Sequence, residues 1–197
     1  MKSFNLKGKE RTEVGKKATK AVRKDQSVPC VLYGGGKNVH FTATQADLRK
    51  LVYTPEVFAV NLDINGAITP AVMKEIQFHP VSDRILHIDF LEVSQNKPVT
   101  VELPVIITGL AEGVRAGGKL SLEMRKLRVK GIYTKLPENI TIDVTNLALG
   151  KSIQVGALSV ENLEIMNAKN AVVVQVKLTR AARGAAAAEG EQKPKAE

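Results

Sequence analysis

Nine of the first 24 residues are Lys or Arg, against two Glu, and a stretch so charged resists burial. Lys2, Lys7, Lys9, Arg11, Lys16, Lys17, Lys20, Arg23 and Lys24 carry the positive charge, opposed by Glu10 and Glu13. Between them lie Gly8, Gly15, Ala18, Thr19 and Ala21, too small to cover a core. A cationic segment of this kind repels itself and needs water or a polyanion on most sides. The chain beyond it is rich in β-branched and apolar residues and can fold. The expectation is an arm tethered to a compact domain, an arrangement suited to gripping phosphates.

The charge is unevenly spread. Residues 1–50 hold 12 basic and 4 acidic groups, most of the overall net charge of +9, whereas residues 51–97 hold 3 basic and 6 acidic. Counterion release rewards clustered Lys and Arg, so nucleic acid is the favoured partner. A solvated basic surface and an anionic membrane surface are the alternatives. Cys30 is the only cysteine, which excludes an intramolecular disulfide and a multi-cysteine metal site. It lies in the apolar run 28–32 and reads as a small core residue. No apolar stretch resembles a signal peptide or a membrane span, and a cytosolic protein is expected.

Strand signals dominate the rest. Phe4 and Leu6 alternate with polar neighbours before the arm; Val28 to Tyr33 reads as a strand closed by Gly34-Gly35-Gly36, with Val39 to Thr42 as its partner. Thr44 with Asp47 marks the start of a short helix ending near Pro55. Val57 to Ile64, the Asn65-Gly66 pair and Ile68 to Phe78 form a hairpin pattern, and Ile85 to Leu91 gives a further strand. Ser94 to Pro98 is polar and marks a linker. Beyond it Val99, Val101, Leu103 and Val105 share one strand face, with more strands expected at 120–133, 138–144 and 171–178 and a loop at 146–156. The residues from Ala181 on lack aromatic and β-branched types and are expected to be disordered. The fold expected is mainly β: an N-terminal β-barrel with short helices (1–93), the 94–98 linker, a second antiparallel β-rich domain (99–180) and a tail (181–197).

Two motifs invite a catalytic reading. Gly113-Val-Arg-Ala-Gly-Gly118-Lys119 has the glycine and lysine spacing of a phosphate-cradling loop, yet Leu120 offers no hydroxyl to Mg²⁺. The residues after it alternate as a strand, so no helix N-terminus faces a phosphate. A glycine-rich loop between strands is the better account, with Arg115 and Lys119 as candidate phosphate contacts. His87 and Asp89 share one strand face about 7 Å apart, but no third metal ligand accompanies them. They suit hydrogen bonding to a polar ligand, with Ile88 and Phe90 anchoring the strand from the other side. No metal, cofactor, small-molecule substrate or catalytic residue is implied.

A-form RNA displays 2′-hydroxyls and base edges in a broad, shallow minor groove that a sheet face can approach. Aromatic residues make up only 4% of the chain, which favours a structured groove over stacking on single strands. Tyr33, Gln77, His87 and Asp89 would contact that groove, and Lys16, Lys17, Thr19 and Lys20 of the arm would position it through phosphates.

Several strings carry a family resemblance: Arg11-Thr-Glu-Val-Gly15-Lys16 with Arg23 ahead of Pro29, Val31-Leu-Tyr33-Gly34-Gly35, Gln77-Phe-His79-Pro80, His87-Ile-Asp89-Phe90 and Gly113-Val-Arg-Ala-Gly-Gly118. They resemble the long, two-domain form of the bacterial large-subunit ribosomal proteins of the general stress protein Ctc family, over residues 3 to 178. Lys20 and Ala21 stand where many relatives have consecutive arginines, leaving Arg23 as the main arginine of the arm. The resemblance implies a non-enzymatic constituent of the large ribosomal subunit, with an N-terminal barrel docked in the minor groove of the loop E region of 5S rRNA. Arg11, Arg23, Tyr33, His87 and Asp89 match the RNA-contacting positions, and Gln77 matches more weakly. The alternatives are a stress-associated RNA-binding regulator that visits ribosomes conditionally, and a phosphate-ester enzyme using the 113–119 loop.

Overall fold

A computed structural model of the chain describes residues 1–94, 97–160 and 163–180. The chain divides into two compact units, Met1–Val101 with Lys130–Glu138, and Glu102–Val129 with Asn139–Glu197. The expected disordered tail, 181–197, and the middle of the expected linker lie outside the described residues. No described helix is long and apolar enough to cross a membrane.

The first unit is built on a closed barrel of β1 (Lys2–Glu10), β2 (Ser27–Tyr33), β3 (Val39–Thr44), β4 (Phe58–Ile64), β5 (Ala67–Phe78) and β6 (Ile85–Glu92), in the order β1-β3-β2-β6-β5-β4. Two hairpins supply the antiparallel pairs β2/β3 and β4/β5. The second turns at Asn65 and Gly66, both at positive φ (53° and 87°), and the Gly66 N–H donates to Asp63 at 3.0 Å. Closure comes from parallel pairing of β1 with β4 and of β2 with β6. Strand periodicity decides which side chains enter: Leu6, Cys30, Leu32, Phe41, Leu62, Ile88 and Phe90 fill the interior, with the Phe41 and Phe90 rings 5.7 Å apart. Burial pushes the Cys30 thiol up to about 12, as suits a core residue with no chemistry. Helix α2 (Gln45–Val52) starts where Thr44 accepts the Asp47 N–H at 3.3 Å, and Leu48 and Leu51 pack onto the core.

The arm expected at residues 1–24 is not a tether. Its first part is β1, a full member of the barrel, and its second is helix α1 (Lys16–Lys24), in contact with β2. Leu6 is fully buried while Lys7 and Lys9 face solvent. Gly8 is small for a reason: a Cβ there would sit 2.5 Å from the Phe41 ring. Period-two alternation lets the strand carry Lys7 and Lys9 without burying either, while Lys2, in step with Leu6, stays exposed at the strand's start.

The remaining strands are β7 (Pro98–Thr108), β8 (Lys119–Leu122), β9 (Lys126–Ile132), β10 (Ile140–Asp143), β11 (Ser152–Gln154), β12 (Glu164–Ile165) and β13 (Val172–Lys177). They form a four-stranded sheet, β10-β7-β9-β12, and a three-stranded one, β11-β13-β8. Val99, Val101, Leu103 and Val105 are all buried, as their alternation predicted. The strand expected at 120–133 is two, broken where the N–H groups of Glu123 and Met124 turn to the Val173 carbonyl. The expected 146–156 loop contains β11, and β10 runs parallel to β7.

The 113–119 loop is not open between strands; it begins as a short helix, α3 (Glu112–Arg115). Each N–H from Gly113 to Gly118 donates to a carbonyl of the chain: Leu147, Ala111, Ala111, Glu112, Val114 and Gly113 in turn. A phosphate cradle needs those amides unengaged, so the loop holds none. Its glycines serve packing. Gly117 has φ +84°, and a Cβ on Gly118 would lie 2.6 Å from the Gly113 carbonyl oxygen and 2.5 Å from Val176.

Two outcomes follow from these packings. Leu6→Ala should cost the barrel about 2–5 kcal/mol in urea unfolding; a change below about 0.5 kcal/mol, ordinary for a surface site, would mean β1 is a loose arm after all. Gly118→Val should overpack its site by about 1–3 kcal/mol and speed amide exchange along β13. Unchanged β13 exchange would mean the loop can yield.

Candidate nucleic-acid interface

The inward set of barrel residues fixes an outward set. Cys30 of β2 lies level with Ile88 of β6 and Ile76 of β5, all within or against the core. The next row, facing out, is therefore Val31, Asp89 and Glu75, flanked by the His87–Gln77 pair and by Tyr33 beside Leu91. Register alone brings Tyr33, Gln77, His87 and Asp89 onto one face across three strands.

The face is polar and locally acidic. His87 Nδ1 lies 2.7 Å from Asp89 Oδ1, so side chains expected to stand apart close into a pair. That bond makes Nδ1 the donor and leaves Nε2, which has no partner among the described residues, for a ligand. The Tyr33 hydroxyl is shifted upward, first by burial and then by the Asp89 and Glu75 carboxylates, which keeps it a protonated donor. Carboxylates repel phosphates. A surface of Asp89, Glu75, His87, Gln77 and Tyr33 suits base amino groups and ribose hydroxyls instead.

Arg11 follows β1 and donates its backbone N–H to the His40 carbonyl at 2.9 Å. His40 in turn lies level with Val31 in the β2/β3 register. The Arg11 side-chain Nε and Nη1, with His40 Nδ1, are shut from solvent without a hydrogen-bond partner. Orphaned polar atoms carry a free-energy cost that an arriving acceptor can relieve. His40 lies on β3 and Asp89 on β6, the two strands that flank β2.

Helix α1 supplies the opposite chemistry. Ala18, Thr19 and Val22 are half-buried on one side, whereas Lys16, Lys20 and Lys24 recur every fourth residue on an exposed stripe, with Lys17 beside it. Like charges at this spacing destabilise a helix. Lys16 and Lys17 also occupy the first turn, where the helix dipole disfavours cations, and Gly15 provides no side-chain cap. Nine residues do not sustain such a helix alone. It is held by its contacts with β2 and by Arg23, whose Nε and Nη2 donate to the Leu86 carbonyl at 3.2 and 2.9 Å. Arg23 thus ties the helix to the strand that carries His87 and Asp89. Lys16 and Lys17 make no contact with the sheet face among the described residues. His40 and Glu75 escaped the sequence reading, because strand pattern shows which residues face out but not which lie opposite.

Comparison with known proteins places the chain in a family. The model of the Ribosomal L25p family matches residues 6–90, and that of the Ribosomal protein TL5 C-terminal domain matches residues 98–180. The "Large ribosomal subunit protein bL25" of Porphyromonas gingivalis is 61% identical over 188 residues, covering 94% of this chain and 98% of that one. The protein of the same name from Azobacteroides pseudotrichonymphae is 60% identical over 184 residues, covering 93% and 97%. That from Phocaeicola vulgatus is 56% identical over 197 residues, covering 96% and 100%. The chain belongs to the Ribosomal L25p family, a family of structural proteins rather than enzymes, in the long form that adds the TL5 C-terminal domain.

Proposed function

We propose that this protein is a structural constituent of the large ribosomal subunit that binds 5S rRNA, with the outer face of β2, β6 and β5 docked in the minor groove of the loop E region. The observation that carries this reading is the tie between two unlike surfaces. Arg23 links a lysine-striped helix, which needs a polyanion, to a sheet face whose carboxylates reject phosphate. An RNA groove satisfies both, since its floor offers amino and hydroxyl groups and its walls are phosphate. A bare polyanion would satisfy only the helix. Arg11, joined through the His40 carbonyl to the strand beside β2, adds a cation next to that face.

The roles separate by substitution. Lys16→Ala and Lys17→Ala should weaken binding to all RNAs alike, because phosphates carry no sequence information. Tyr33→Ala, His87→Ala and Asp89→Ala should each lower the preference for 5S rRNA over an unrelated duplex by about tenfold, roughly 1.4 kcal/mol. Competition binding at fixed salt measures both. Equal losses on every RNA from all five variants, with the preference intact, would remove the sheet face from recognition.

A further inference from the structure

The pairing of β5 with β6 breaks register twice. Val72 lies level with Leu91 and Met73 with Phe90, but the partner of Asp89 is Glu75, so Lys74 is left over on β5. Ile76 then faces Ile88 and Gln77 faces His87, after which Phe78 meets Ile85 and Leu86 is passed over on β6. Each strand thus carries one extra residue, and the two shifts cancel. The core contacts agree: β5 turns Ala71, Met73 and Ile76 inward, and β6 turns Ile85, Ile88 and Phe90 inward. From Met73 to Ile76 and from Ile85 to Ile88 the inward step is three residues, where a regular strand steps two.

Between these two bulges lie the pairs Glu75/Asp89, Ile76/Ile88 and Gln77/His87, which include the polar residues that β5 and β6 give to the recognition face. An unbroken ladder was open to the same residues, because the segments 74–77 and 86–89 are equal in length. It would set Lys74 against Asp89 and Glu75 against Ile88, turning Glu75 and Gln77 into the core and Ile76 out. Burying a carboxylate and a carboxamide without partners is prohibitive, so the sequence selects the bulged register. We propose that this pair of bulges is the positioning device of the recognition face: the extra residue at each point, rather than its side chain, sets the curvature of the face and seats α1 beside it. The inference rests on the RNA-binding reading above and names what shapes the surface which that reading uses.

A bulge bends its strand and increases the local twist, and it leaves the extra residue out of the ladder. One bulge at each end of the polar segment therefore curves the surface that a groove must match. At Leu86 the carbonyl freed in this way is the one that accepts from Arg23 Nε and Nη2, at 3.2 and 2.9 Å. The shift in register thus makes the socket that holds α1. At Lys74 the side chain is engaged by backbone, its Nζ donating to the Thr100 carbonyl at 3.1 Å. An exposed cation beside Glu75 is thereby tied to the start of β7.

Deletion of both Lys74 and Leu86 from the complete chain tests this. The residues that remain keep their partners and their inward or outward sides, because Met73, Glu75, Ile76, Gln77 and Phe78 then alternate regularly, as do Ile85, His87, Ile88, Asp89 and Phe90. Competition between 5S rRNA and an unrelated duplex at fixed salt measures the preference, and urea unfolding checks that the chain is folded. The doubly deleted chain should lose the preference by about tenfold or more. Lys74→Ala and Leu86→Ala keep both extra residues and should hold it within about twofold. A folded double deletion with unchanged preference would overturn the proposal. So would a loss of about tenfold in either alanine variant, because the side chain would then carry the effect; these two variants decide the question if the deletion prevents folding. Failure of the wild-type chain to prefer 5S rRNA would instead sink the underlying reading, so the two failures are told apart.

Discussion

Strand β6 couples the core to the surface that does the work. Ile88 and Phe90 are fully buried, and the pleat that sends them inward sends His87 and Asp89 outward. In a closed barrel no edge is left to slip, and a one-residue shift in register would bury the His87–Asp89 pair and expose two large apolar side chains. The packing that stabilises the barrel therefore fixes the recognition face. Parallel pairing of β6 with β2 and antiparallel pairing with β5 extend the same constraint to Tyr33 and Gln77.

Charge is kept apart within the first unit with similar economy. Lysines of β1 and α1 point outward from elements whose other sides pack, while acidic Glu75 and Asp89 cluster on the barrel wall. Arg23 sits at the border, its guanidinium engaged with a backbone carbonyl rather than with either carboxylate. The Asp89 carboxylate is met by His87 on its own strand. The surface thus presents separate zones for phosphate and for groove-floor groups instead of neutralising one with the other.

Much of this was legible in the residues. Alternation located nearly every barrel strand, Asn65-Gly66 fixed a turn, and the Thr44/Asp47 pair marked the start of α2. The extent of the arm was misjudged because the alternation visible at Phe4 and Leu6 continues through Gly8, and glycine contributes nothing to a hydrophobicity count. Only the Phe41 ring explains why position 8 is small. Helix α1 was hidden for a related reason, since its lysine repeat, lysine-bearing first turn and uncapped start argue against a helix in isolation. The short strand β11 and the split of 120–133 depend on partners in β13 that are distant in sequence. His40 and Glu75 joined the site through register, which no local pattern encodes.

The central claim, that one barrel face is the RNA surface, is most directly tested by oxidative footprinting of side chains in the complete chain with and without 5S rRNA. Tyr33 and His87 should become shielded by the RNA, while Met166, which is 52% exposed and lies in the second unit, should oxidise at an unchanged rate. Tyr33 and His87 oxidising as fast in the complex as in the unbound protein would contradict the account.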